Sequence, residues 1–141
     1  MMTPEHYISH LLTTSPDVAV LVGMNVFNIF VPKAQTELPF IVYRRGVSDD
    51  ENMVSGPGPL SIPTTSFFVS SWALEMVEAR RIGDAVRQAL NGQIGNVAGL
   101  SVVSLLMTGE VDDFVDPTPA GAQLPLAYEV RQSYQLRWQR A

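Results

Sequence analysis

Residues 71–92 show the hydrophobic periodicity of an α-helix. Their apolar positions recur three and four residues apart and fall on one side: Trp72, Met76, Ala79, Ile82, Gly83, Val86 and Leu90. Arginine, aspartate and glutamine side chains occupy the other side. The pattern predicts a long amphipathic helix with one face against a core. Gly92 readily adopts the left-handed conformation that ends a helix, so the helix is expected to stop there.

Three positions of this helix predict contacts with other elements. Gly83 lies on the apolar side, where glycine costs about 1 kcal/mol relative to alanine. We therefore expect another element to approach the helix closely at Gly83. Leu74 and Val77 point towards the polar side, and an apolar pair there predicts an interface with another chain.

The remaining pattern predicts two short helices and five strands. Thr3 and Ser15 each precede a proline, the order of a helix cap and a first helical residue. Strands are predicted at 26–31, 40–47, 64–71, 100–107 and 126–138. The run 100–107 is mostly apolar, which indicates a buried strand. The last strand alternates clearly except at Gln132 and is unusually long, so a bend or bulge is expected near that residue.

Two stretches are rich in acidic residues, glycine and proline and are predicted to be loops. The first, 48–63, contains Asp49, Asp50 and Glu51, and the second, 112–125, contains Asp112, Asp113 and Asp116. The first is expected to be mobile in an isolated subunit, because glycines and prolines are poorly held in a sheet. An acidic tip on a long loop favours a contact with a partner.

Composition points to assembly and away from nucleic-acid recognition. Charged residues make up 16% of the 141 residues, against about 25% in ordinary soluble domains, which is consistent with a surface partly covered by partners. The net charge of -5 disfavours a surface that grips phosphates. No cysteine is present, and no stretch has the pattern of a signal peptide or a membrane span. These features predict a soluble, intracellular single domain over residues 1–141 that does not associate with membranes.

The sequence contains no motif that clearly indicates a catalytic or metal site. His6 and His10 lie one helical turn apart, but no third ligand is evident, and a surface or packed pair is the alternative. Asp112, Asp113 and Asp116 lack the spacing of a calcium loop, and a solvated loop is the alternative. No serine stands in a nucleophile motif. We therefore expect no enzymatic activity, no metal and no cofactor.

The element order predicts an α+β protein. The architecture expected is a two-layer sandwich with a mostly antiparallel, mixed sheet of four to five strands. The long helix and the N-terminal helical turns are expected on one face of that sheet. Arg44 and Arg45 mark the place where the second strand leaves the core, and Trp138 is a candidate core or interface anchor. These three residues join Leu74 and Val77 as candidate interface residues.

Several stretches, in this order and spacing, resemble the tail completion or tail terminator proteins of long-tailed bacteriophages and gene transfer agents. They are Leu11-Leu12-Thr13 with the turn 17–23, Leu38-Pro39-Phe40-Ile41-Val42-Tyr43, the third strand closing on Trp72-Ala73, Glu78-Ala79 followed by Ile82, Val86 and Leu90, and a terminal strand with aromatic residues. None of these motifs is chemically diagnostic by itself. The resemblance spans nearly the whole chain.

The resemblance implies a structural virion protein that is assembled in the host cytoplasm. Such proteins form a six-membered ring at the head-proximal end of the tail tube, stop its growth and join it to the head. The implied partners are other copies of the chain, the tube protein and a head-tail connector or stopper protein, with DNA passing through the channel. The alternatives are a neck or connector protein of the same particle, or a small ligand-binding or enzymatic α+β domain. Within the ring, the two acidic stretches are expected to border the channel. The alternatives are that they are solvated exterior tips or that they dock onto basic patches of the tube protein or the head connector.

Overall fold

The computed structural model describes residues 2–29, 31, 38–51, 62–115 and 127–140, without the side chains of residues 47–51, 114, 115 and 140. Within this part of the chain there are three helices and six strands. The helices are α1 (Pro4–Thr14), α2 (Pro16–Val22) and α3 (Met76–Leu90). The strands are β1 (Val26–Asn28), β2 (Phe40–Glu51), β3 (Ile62–Ala73), β4 (Gly95–Val97), β5 (Leu100–Val115) and β6 (Ala127–Arg140).

The strands form one mixed sheet in the order β1-β2-β3-β6-β5-β4. The pair β1-β2 is parallel and all other pairs are antiparallel. The prediction of an α+β fold with a mostly antiparallel sheet is therefore confirmed. The predicted strand number of four to five is wrong, because β4 was read as part of a turn. Strand β4 is only three residues long and begins with a glycine. It pairs with β5, and the turn that connects the two strands has Ala98 and Gly99 at positive φ.

The main core lies between the helices and one face of the sheet, here called the helix face. Helix α3 crosses β3, β6 and β5, and α1 and α2 pack against α3. Alternate strand residues point into this core, since side chains change face at every position of a strand. The largest fully buried residues here include Ile8, Leu12, Ile41, Phe67, Ile82, Leu90, Leu100, Leu105, Tyr134 and Leu136.

A second, smaller apolar cluster was not expected from the sequence. It comprises Val31, Phe40, Val42, Trp72 and Ala127. Phe40 and Val42 alternate along β2 with Ile41 and Tyr43 of the main core, so the cluster lies on the opposite face, here called the open face. The sheet is thus apolar on both faces at this end, and the simple two-layer sandwich that was predicted is not matched.

Both N-terminal helices begin as their sequences predict. The hydroxyl of Thr3 accepts a hydrogen bond from the backbone N-H of His6 at 3.2 Å. The hydroxyl of Ser15 accepts one from Val18 at 3.4 Å. Each of these caps satisfies a backbone donor that the helix itself leaves without an acceptor. Helix α2 ends at Gly23, which has a φ of 62°.

Helix α3 starts later than the periodicity indicated. Residues 71–73 continue β3, where Trp72 pairs with Phe40 on one side and Glu129 on the other. Trp72 therefore joins the cluster on the open face and not the helix stripe, a correction of the sequence reading. A Trp72 to Met76 spacing of four fits both a helix and a strand-to-helix junction, and the hydrogen bonds of the sheet decide between them. At the other end Gly92 has a φ of 86°, as predicted.

The predicted loop 48–63 is partly wrong. Residues 48–51 extend β2 and pair with residues 62–65 of β3. Two strands that face each other can form a sheet even where the local composition is polar, because the partner supplies the hydrogen bonds. Asp49, Asp50 and Glu51 therefore lie on a strand, and the expected mobility of this loop now concerns residues 52–59, which lie outside the described residues.

The second predicted loop is also shorter than expected. Strand β5 continues to Val115 and pairs with β6 over its whole length. Asp112 and Asp113 are consequently strand residues. The stretch 116–125, including Asp116, lies outside the described residues.

No helix among the described residues is both long and apolar enough to cross a membrane.

Gln132 points into the core, as its place in the alternation predicted. Its side chain is fully buried. Strand β6 keeps an uninterrupted register with β3, so it carries no bulge. The irregularities are in β5, between Val102 and Ser104 and between Met107 and Gly109. The predicted bend therefore belongs to the neighbouring strand, where the extra residues sit.

Candidate assembly surfaces

Leu74 and Val77 lie at the junction between β3 and α3. Leu74 follows the last residue of β3 and is 60% exposed, and Val77 is in the first turn of α3 and is 67% exposed. The burial of Ala73 and Ala79 on either side fixes the orientation of the junction. Two large apolar side chains three positions apart in the chain thus face solvent in a single subunit, and exposed apolar side chains of this kind are typical of an interface.

Arg44 and Arg45 are adjacent on β2 and therefore point to opposite faces of the sheet. Arg44 is on the open face, with its guanidinium carbon 5.3 Å from the centre of the Phe68 ring. Arg45 is on the helix face and forms an ion pair of 2.8 Å with Glu5 of α1. Burial raises the pKa of Glu5, but hydrogen bonds and the charge of Arg45 outweigh this effect and hold that pKa below its usual value. The pair ties α1 to the sheet.

Trp138 packs against the main core on the helix face. Its indole N-H donates a hydrogen bond of 3.0 Å to the hydroxyl of Thr65 on β3. Thr65 is fully buried, so this bond satisfies two polar groups inside an apolar environment. In the single subunit Trp138 therefore acts as a core anchor with a partly exposed edge.

The acidic candidates occupy different environments. Asp112 is on the helix face of β5 and forms an ion pair of 2.7 Å with Arg80 of α3. Asp113, the next residue, points to the open face and is exposed. Asp49, Asp50 and Glu51 are on β2, at the far side and the far end of the sheet from Asp112. The fold of one subunit therefore does not bring the two acidic stretches together.

A buried polar network connects α3 to the sheet. The Gln132 amide nitrogen donates to the Gly83 carbonyl oxygen and to a Glu110 carboxylate oxygen, both at 2.8 Å. The Tyr134 hydroxyl donates to the Gln132 side-chain oxygen at 2.9 Å. Burial, and then the charge of Glu110, raise the pKa of Tyr134, so its hydroxyl stays a donor. At Gly83, an added Cβ would lie 3.0 Å from a Val130 methyl, which confirms the predicted close approach.

Strand β5 carries an exposed apolar strip that was not predicted from the sequence. Val103, Leu106 and Val111 are all exposed, and Leu106 and Val111 are 51% and 53% exposed. The apolar run 100–107 was read as a buried strand. In the structure only alternate residues such as Leu105 are buried, because none of the described helices covers the open face. The serines at 101 and 104 were the available signal for a strand with one solvated face.

An open groove of about 360 Å³ runs between α2 and α3. Val20, Leu21 and Ala85 form its apolar floor, and Asp17, Arg81, Asp84 and Gln88 stand around it. In the described part of the chain, no three histidine, aspartate or glutamate side chains lie close enough to hold a metal ion. His6 and His10 are both exposed on α1.

The fold also occurs in a solved virion structure. One chain of the virion of a native gene transfer agent (GTA) particle superimposes with a TM-score of 0.71 at 18% sequence identity, covering 93% of this chain and 90% of that chain. At this identity the likeness concerns the fold. The α+β architecture described above is therefore one that virion proteins use.

The family described as tail completion protein gp17 matches residues 7–133. Because the match covers most of the chain, the protein belongs to this family. It is a structural tail protein of a phage-type particle and a component of the virion. Comparison with curated proteins finds no match.

Proposed function

We propose that the protein is a tail terminator. In this proposal, six copies form a ring at the head-proximal end of the tail tube, where they stop the growth of the tube and present the surface to which the head joins. Its partners are neighbouring copies, the last ring of the tube protein and a connector or stopper protein on the head side. The protein performs no chemistry in this role.

The family match over residues 7–133 carries the proposal. Completion of a tail requires a subunit that binds the tube end and does not itself extend the tube. A ring-forming subunit also requires two different lateral surfaces, because each copy contacts its two neighbours with different sides. The exposed apolar pairs are consistent with this need, since Leu74 and Val77 lie at the start of α3 and Leu106 and Val111 lie on β5.

Deleting the gene in the producing strain separates a terminator from a connector. Without a terminator, tubes should grow past their normal length and carry no heads. Without a connector that acts after termination, headless tails of normal length should accumulate. Electron microscopy of the lysate measures both quantities, and expression of the chain from a plasmid should restore the normal length.

A second experiment tests the ring itself. Purified tails should carry this chain only at the head-proximal end, as one ring of six copies, and quantitative mass spectrometry against the tube protein gives the number of copies. Tails of normal length in the deletion strain would contradict termination. Normal, infectious or transferring particles in that strain would contradict every structural role and favour the ligand-binding alternative, for which the groove between α2 and α3 is the candidate site.

A further inference from the structure

Among the described strands, each side of the sheet is uncovered along one half of its length. At the β2 side, β1 covers residues 41–43, and no described strand lies beside residues 46–51. At the β5 side, β4 covers residues 100–102, and no described strand lies beside residues 109–115. The exposed backbone of a sheet edge offers unpaired N-H and C=O groups to another chain. The open halves lie at opposite ends of the sheet, since residue 51 is beside Ile62 and residue 115 is beside Ala127.

These edges lack several of the devices by which proteins protect open strands. Neither β2 nor β5 contains a proline or a lysine, the residues that commonly block edge pairing. The irregularities of β5 lie before Gly109, so residues 109–115 form a regular stretch of seven. On β2 the irregularity lies before Ser48. Each open stretch is close to the length of an ordinary strand, about five to six residues.

We propose that the open edge of β2 in one subunit pairs with the open edge of β5 in the next subunit. This inference rests on the ring of the proposed function and specifies its lateral contact. The directions of the strands fit, because β2 and β5 run antiparallel to each other within the sheet. A head-to-tail repeat of the same contact would therefore extend one antiparallel sheet from subunit to subunit.

The short strands β1 and β4 set the offset between neighbours. Because they occupy the other halves of the two edges, the centre of residues 109–115 must pair near Ser48. Within one subunit, Asp112 pairs with Val130 of β6, and Val130 pairs in turn with Ser71 of β3. Ser48 pairs with Thr65 of β3, which lies six positions from Ser71. Each neighbour is thus shifted by about 20 Å along the strands, at about 3.3 Å per residue.

This offset is compatible with a closed ring. The repeating unit has four strands across, β2, β3, β6 and β5, or about 19 Å at about 4.8 Å per strand. A shift of about 20 Å along the strands for each ~19 Å across them corresponds to a strand tilt of about 45° to the ring axis. Closed barrels have strands tilted by about 35–45°, so the fold of one subunit suits closure at the upper end of this range.

Charge explains how such edges can stay unpaired before assembly. The pairing brings the β2 stretch with Asp49, Asp50 and Glu51 beside the β5 stretch with Glu110, Asp112 and Asp113. Arg80 compensates Asp112, but the joint keeps an acidic excess. Like charges opposite each other weaken strand pairing. The acidic residues therefore oppose pairing of free subunits, and binding to the tube end supplies the additional contacts that overcome this repulsion.

Disulfide cross-linking tests the contact directly, because the chain contains no cysteine. In assembled tails, the double variant Asp49→Cys/Val111→Cys should give covalent multimers of this chain up to the full ring on mild oxidation, because pairing of Asp112 with Ser48 places Val111 opposite Asp49 and opposite positions share one face of the sheet. The matched control is Asp49→Cys/Ser101→Cys, since Ser101 lies where β4 covers the edge, and it should give none. Partner positions Gly109 and Asp113 allow for a register two residues away on the same face.

Charge neutralisation gives an independent readout in solution. The variant Asp49→Asn/Asp50→Asn/Glu51→Gln should self-associate at a concentration on the order of tenfold lower than the unaltered chain, as measured by analytical ultracentrifugation. The control Asp17→Asn/Asp84→Asn removes two exposed carboxylates on α2 and α3, away from both edges and from Leu74 and Val77, and should leave self-association unchanged.

The outcomes separate this inference from the proposed function. A ring of this chain on the tail that shows no cross-link between β2 and any of the three β5 positions would overturn the edge contact and leave termination intact. Equal self-association of the two neutralised variants would overturn the part assigned to the acidic residues. A tail end without any ring of this chain would contradict the proposed function itself.

Discussion

Gln132 connects α3 to the sheet through buried hydrogen bonds. It is fully buried, and both ends of its amide are bonded, to Gly83, Glu110 and Tyr134. A buried amide is tolerated only when its donors and acceptor have partners. Because the partner groups lie on α3, β5 and β6, the network fixes the helix at one height above the sheet.

We expect Gln132→Leu to lower the free energy of unfolding by about 1–3 kcal/mol, because the Tyr134 hydroxyl loses its acceptor in a buried site. Gln135→Leu on the exposed side of the same strand is the control and should change it by less than about 0.5 kcal/mol. Urea unfolding followed by tryptophan fluorescence measures both. Equal small effects would mean that the network contributes little to stability.

The ion pair between Glu5 and Arg45 gives a pH-dependent term at the residue scale. The folded pKa of Glu5 lies below its ordinary value of 4.5. The stabilisation of the fold by ionised Glu5 is therefore fully present above pH 4.5 and is lost as the pH falls through the folded pKa of Glu5. Comparing the chain with Arg45→Met, we expect a difference of at most about 1 kcal/mol near pH 7 that disappears once the pH has fallen through the folded pKa of Glu5. A difference that grows on acidification would contradict this assignment.

Helix α3 packs closely against the sheet at Gly83. A Cβ at Gly83 would lie 3.0 Å from a Val130 methyl and 3.4 Å from the Gln132 amide nitrogen. Gly83→Ala gains about 1 kcal/mol of helix propensity, but overpacking costs about 1–3 kcal/mol. We expect a net loss of about 1 kcal/mol in urea unfolding. In a double-mutant cycle, Val130→Ala should relieve the penalty, and additive effects would show that the two sites do not clash.

The exposed junction between β3 and α3 yields a prediction about interfaces. Leu74→Asp and Val77→Asp should leave the free energy of unfolding within about 0.5 kcal/mol, because both side chains face solvent. Each should nevertheless reduce incorporation of the chain into tails, which immunoblotting of purified particles measures. Gln88→Asp, exposed on the same helix, is the control. Unfolding of Leu74→Asp by several kcal/mol would show that the orientation of this junction is wrong.

For the whole molecule, the acidic stretch of β2 is predicted to border the channel or to dock onto a basic partner. Changing Asp49, Asp50 and Glu51 to lysine should leave tails assembled and slow the delivery of DNA if the residues border the channel, because lysines would hold the phosphates that carboxylates repel at short range. If the residues instead dock onto a basic partner, the same change should prevent attachment of the tube or the head. Single-particle DNA ejection and electron microscopy distinguish these results, and normal assembly with normal ejection would contradict both.

Local signals predicted the elements that depend on neighbouring residues. The caps at Thr3 and Ser15, the helix stop at Gly92, the close approach at Gly83 and the inward place of Gln132 all follow from side-chain chemistry or periodicity within a few residues. The family resemblance was carried in the same way, by the order and spacing of such signals. These features are determined locally, so one sequence is enough to read them.

Features that depend on partners distant in the chain needed the tertiary structure. Residues 48–51 and 112–115 are polar enough to resemble loops, yet they are strands because β3 and β6 supply their hydrogen bonds. Trp72 looks helical by spacing and is placed in β3 by its neighbours Phe40 and Glu129. The open face and the two open edges exist only once the strand order is known. The sequence by itself therefore determined the helices, the alternation and the family, whereas strand pairing over long distances decided where the sheet ends and which surfaces stay uncovered.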